Sequence, residues 1–108
     1  MDMQSKLLLL EDHTERSLAR SRQQANRFER AYWRVHGIMV RIDGPQDFPA
    51  VVPMDVWRAR LDAYARVRDR AASLWGDLET LRRIESDWAS DLAHVRADLA
   101  RIDELHAD

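Results

Sequence analysis

Two spacings in this sequence could hold a metal. Asp91-x-x-His94 and Asp103-x-x-His106 each set a carboxylate and an imidazole one helical turn apart, as metal-binding helix bundles do. On one helix, however, the two pairs lie about 18 Å apart, too far to share an ion within one chain. A facing helix could add only Glu11, Asp12, His13 and Glu15. These residues, and the isolated His36, are therefore read as surface, and no metal or cofactor is expected. No Gly-rich phosphate loop occurs, nor a nucleophile with a base at a meaningful spacing. A tight helix pair also lacks the concavity a substrate needs. No catalytic residues are assigned, and the chain is not expected to be an enzyme.

The arginines carry a second possibility. Between Arg16 and Ile42 there are seven Arg against Glu29 alone, while Met1–Glu15 and Ser73–Asp108 are acidic. Arg16, Arg20, Arg27, Arg30, Arg34 and Arg41 fall on one side of a helical repeat, opposite its apolar stripe. Such a row could track a phosphate backbone or an acidic protein, or be a solvated face. A net charge of −2 argues against a dedicated nucleic-acid binder. The basic residues are sixteen Arg and one Lys, a bias that codon usage alone can produce. Trp33 and Val40 lie off the stripe, with Gly37 between them and Ile38 nearby. Aromatic residues mixed with Arg are what interface hot spots favour. Arg27, Arg30, Trp33, Arg34 and Val40 are thus the expected partner-binding face, unless Phe48, Val51 and Val52 fold back over the apolar part.

Two long helices must position these residues. From Pro53 onward the chain has no further proline and only Gly76 as glycine. Trp57, Tyr64, Ala71, Leu78, Leu92 and Leu99 fall at position a of a heptad, and Val67, Leu74, Leu81, Trp88, Val95 and Ile102 at d. Arg60 and Glu85 interrupt the seam. An earlier seam runs through Leu7, Thr14, Leu18, Ser21, Ala25, Phe28, Tyr32, Val35, Met39 and Ile42. Each is the pattern of a helix packed on another helix. Helices are expected over about residues 5–42 and 53–107, with a loop over 43–52. Ser5 is the expected N-cap, and Asp43-Gly44-Pro45 the stop. Pro53 fits the first helical position, with Asp55 facing the positive helix end.

The expected fold is all-α: one domain over residues 1–108, a two-helix antiparallel hairpin like a coiled coil. A turn centred near Phe48 would set Met39 beside Trp57, Tyr32 beside Tyr64, Ala25 beside Ala71 and Leu18 beside Leu78. Trp57, Trp75 and Trp88 are read as core. In that register the first helix ends near His94, leaving Val95, Leu99 and Ile102 uncovered. Leu7–Leu10 raise the same problem, being apolar nearly all round. A dimer joined through Leu8, Leu9, Val95, Leu99 and Ile102 would complete a helical bundle. The alternative is a three-helix bundle, with the second helix broken near Gly76 or Ser86.

Composition agrees. With 108 residues the chain is the size of one domain, and its scarce glycine and proline favour helices. The absence of cysteine excludes disulfides and suits a reducing compartment. The Leu7–Leu10 run is too short for a signal-peptide core or a membrane span, so a soluble, cytoplasmic protein is expected. The functional expectation is a helical protein–protein interaction module that self-associates: an adaptor, a small regulator or inhibitor, or an assembly component. A nucleic-acid-associated protein using the arginine row is the alternative.

Overall fold

The computed structural model describes residues 2–43 and 53–106. The fold is all-α, a helical hairpin of α1 (Met3–Asp43) and α2 (Met54–His106), with no strand among the described residues. Asp2 caps α1: its Oδ1 accepts the Ser5 backbone N–H at 2.7 Å, satisfying a donor the first turn leaves open. That bond, helped by the Ser5 side chain, holds the Asp2 carboxyl below its ordinary pKa. Ser5 was expected to be the cap. A carboxylate facing the positive helix end takes the role instead. The helix also runs through Asp43, where a loop was expected to begin.

At the start of α2 the Pro53 carbonyl accepts the Trp57 N–H at 3.1 Å. Pro53 therefore lies just outside the helix rather than in its first position, and Asp55 stands in the first turn. The expected loop from Gly44 to Val52, including any docking of Phe48, Val51 and Val52, lies outside the described residues, as does Ala107. Gly76 and Ser86 sit inside α2, so the three-helix alternative does not form. A Cβ built on Gly76 would meet nothing within 4 Å. Gly76→Ala should therefore raise stability by about 0.5–1 kcal/mol by removing backbone entropy from the unfolded chain. Urea denaturation reads this, and no gain would show that the site needs glycine.

The chain packs as two compact units, Met1–Asn26 with Thr80–Asp108, and Arg27–Glu79. In the first unit Leu18, Leu92 and Val95 are buried together with Thr14, Ser17, Ser21 and Ala25. Small side chains dominate the α1 contribution. Thr14 stays satisfied by donating its hydroxyl to the Leu10 carbonyl at 2.7 Å. In the second unit Ala71, Leu74 and Leu78 are buried, and Phe28, Tyr32, Val35 and Met39 are half-buried.

Register is the main correction. The expected turn would place Glu11 opposite Glu85, Arg22 opposite Leu74 and Tyr32 opposite Tyr64. In the first unit Glu11 instead meets Arg96 at 3.2 Å and Arg22 meets Glu85 at 3.7 Å. In the second unit Tyr32 meets Trp75, with ring centroids 5.0 Å apart. Each partner lies about three turns further along α2 than expected.

Two expectations change with it. Val95 is buried, and Leu99 and Ile102 are half-buried, because the first turns of α1 reach them; they are not an uncovered overhang. The stretch that is exposed throughout is at the opposite end of α2. Carried on from Tyr32 and Trp75, the register brings the end of α1 level with Tyr64, and residues 54–62 are all exposed. Trp57, expected in the core, is 41% exposed, and Trp75 is exposed too.

Candidate interaction surface

The exposed face of α1 in the second unit carries the expected recognition residues. Arg27, Arg30, Trp33, Arg34 and Val40 are all exposed, Trp33 at 56%. The helix repeat puts them there: Phe28, Tyr32, Val35 and Met39 take the inward stripe, so residues out of phase with it face water. Arg27, Arg30 and Arg34 follow each other at three and four residues, a spacing that stacks side chains along one face. Trp33, Arg30, Arg34 and Glu29 line a shallow depression.

Neighbouring rings brace Trp33. Its ring stands edge-on to Tyr32, with centroids at 5.2 Å and an interplanar angle of 72°, and edge-on to His36 at 5.3 Å and 77°. Tyr32 in turn contacts His36 at 5.8 Å and Trp75 at 5.0 Å. Such pairs are worth about 0.5–1.5 kcal/mol each beyond their buried area. An exposed indole held this way loses little freedom on binding. His36 and Trp75 were not expected to take part. The signal for His36 was present: it lies three residues after Trp33 and four after Tyr32. Val40 is not part of this ring cluster; it lies two turns further along the helix.

The arginine row divides electrostatically. Arg16 is paired with Asp12. Among the described residues none forms an ion pair with Arg27, Arg30 or Arg34. The first unit is different, because its charges answer one another across the helices. Arg96 meets Glu11 and Glu15 at 3.2 and 3.6 Å. Arg82 donates to Glu85 at 3.0 Å and to Asn26 Oδ1 at 3.1 Å, while Arg22 closes on the same Glu85. Glu85, which breaks the seam in the sequence, thus sits in a polar layer that ties α1 to α2.

The metal-like pairs stay apart. Among the described residues no cluster of three or more potential ligands forms. The His94 Nδ1 lies 2.8 Å from the Ser90 carbonyl, and His13 stands edge-on to Trp88 at 5.9 Å. Of the expected dimer residues, Leu8 and Leu9 are exposed at 50% and 59%, whereas Val95 is buried within its own unit. No described helix is long and apolar enough to cross a membrane. No protein-family model, curated protein or solved structure matches the chain.

Proposed function

We propose that this chain is a non-enzymatic helical interaction module that self-associates and recognises a protein partner through the Trp33 face. An adaptor, small regulator or assembly component, working in the cytoplasm, fits this reading. The observation that carries it is Trp33: exposed, braced by two rings, and flanked by arginines with no acidic partner among the described residues. Exposed aromatic and Arg side chains supply most hot spots, provided they are pre-positioned. The shallow depression beside Trp33 suits a protein side chain better than a small substrate.

The test compares the full chain with a Trp33→Ala, Arg34→Glu variant. Captured from an extract of cells that make it, a specific protein should be held by the parent chain and lost with the variant, helicity being unchanged. In parallel, duplex and single-stranded nucleic acid are titrated at two salt concentrations, and little binding is expected near physiological salt. Tight binding that falls steeply with salt, as counterion release requires, would replace this reading with the nucleic-acid one.

A further inference from the structure

We infer that a second copy of this chain docks on one groove of the first unit, about a two-fold axis parallel to the helices. This rests on the self-associating reading above and names the surface it would use. The two grooves of the helix pair differ in chemistry. One holds polar contacts between α1 and α2: Arg96 with Glu11 and Glu15, Arg22 with Glu85, and Arg82 with Asn26. The other is lined by Leu10, Thr14, Trp88 and Val95, with Asp91 and His94 on its α2 side. His13 meets Trp88 there from the α1 side.

Helix phase extends this second groove along the first unit. Trp88, Val95 and Ile102 are seven residues apart and so share a face, and Ile84 lies one turn before Trp88. From Ile84 to Ile102 the stripe is about 27 Å long. Leu10 and Ile84 are exposed at 46% and 41%, and Trp88 and Ile102 are half-buried. Two helices leave such a stripe open, and two more close it in a four-helix bundle.

Charge decides what those two helices are. On α1, Lys6, His13 and Arg20 recur every seven residues and form a basic rim. On α2, Asp91 and Asp98 are seven apart and Asp87 stands one turn before Asp91, forming an acidic rim. All six are exposed. Arg101 reaches Asp98 at 3.9 Å from the same helix, a separation that leaves the carboxylate open to a closer partner.

Rotation about an axis parallel to the helices lays α1 of each copy on α2 of the other, antiparallel and at an unchanged level. The contacts of Glu11 with Arg96 and of Arg22 with Glu85 set Arg20 level with Asp87. They also set Lys6 and His13 within a turn of Asp98 and Asp91. Each basic rim then meets an acidic rim, twice per dimer, and flanking charges of this kind set pairing in helical bundles. A two-fold axis across the helices would instead stack α1 on α1 and oppose like charges. A second copy in the first orientation is therefore the occupant the rims fit.

The experiment is sedimentation equilibrium on the full chain at about 50 and about 500 mM NaCl, which shortens the screening length severalfold. Self-association is expected at low salt and should weaken about tenfold or more at high salt. Lys6→Glu with Arg20→Glu should abolish it, as should Asp87→Arg with Asp98→Arg. An equimolar mixture of these two variants should associate again, and so should one chain carrying all four changes, whose rims are exchanged. A misfolded variant could not be rescued by mixing. Asp103→Arg with Glu104→Arg makes the same change in net charge off this face and should leave association unchanged. Leu10→Asp should weaken it about tenfold or more.

Three results would overturn the inference. Association unmoved by the rim reversals would place the contact elsewhere, leaving the self-association reading intact. Loss in the Asp103, Glu104 control as well would make net charge, not this face, responsible. A single species near 12.7 kDa at both salts would remove the contact and self-association together, and leave recognition of another protein by Trp33 to the capture experiment.

Discussion

Leu92→Ala should lower the unfolding free energy by about 2–5 kcal/mol, the range for truncating a buried leucine and leaving a cavity. Leu92 is one of few large buried side chains in the first unit; most of what surrounds the seam from α1 is Thr, Ser and Ala. Small neighbours have little side chain to swing into the gap, so the cavity should persist. A domain of this size has a margin of about 5–15 kcal/mol, and the variant should be largely unfolded well below the parent's melting temperature. Leu61→Ala is the control, because Leu61 is exposed and should change stability by about 0.5 kcal/mol or less. Equal costs for the two variants in urea denaturation would mean that the first-unit core is not where the structure puts it.

Ala25→Phe should be comparably damaging for the opposite reason. Ala25 has no exposed surface, and its neighbour Asn26 accepts a hydrogen bond from Arg82 across the helix pair at 3.1 Å. A fully buried alanine fills this layer with no more than a methyl group. A phenyl ring must force the helices apart, break the Asn26–Arg82 bond and disturb the Glu85 layer. Overpacking typically costs about 1–3 kcal/mol, and the broken polar layer adds to it. Unchanged stability, with the variant still fully helical by circular dichroism, would show that the helices can separate freely at this layer.

The architecture was legible because the heptad pattern is long and keeps its phase. Residues from Leu7 to Ile42 and from Tyr64 to Ile102 identify two helices and the stripe each buries. Leu18, Ala25, Ala71 and Leu78 lie inside as expected. Register was not legible. A helix repeats its face every few residues, so sliding α2 by about three turns presents nearly the same stripe to α1. The choice between such registers rests on polar pairs such as Glu11 with Arg96, and many acid–base pairings are available in a chain so rich in both. The misplaced register then misassigned Trp57 to the core and Val95 to an uncovered end. At the candidate surface, the exposure of Arg27, Arg30, Trp33, Arg34 and Val40 followed from their phase. The ring contact of Tyr32 with Trp75 did not, because it depends on the register.

The Glu85 layer bears on how the hairpin assembles in time. Two repetitive stripes invite the helices to zip together one heptad out of step, and such pairings can trap a chain until it separates and tries again. Moving α1 by seven residues in either direction takes Arg22 away from Glu85. The residues that replace it are Glu15 in one direction and Glu29 in the other. Both slipped pairings set two carboxylates against each other at a half-buried position, where repulsion is least screened. Early misaligned encounters should therefore be short-lived, and the chain should find its one alignment without a slow correcting phase.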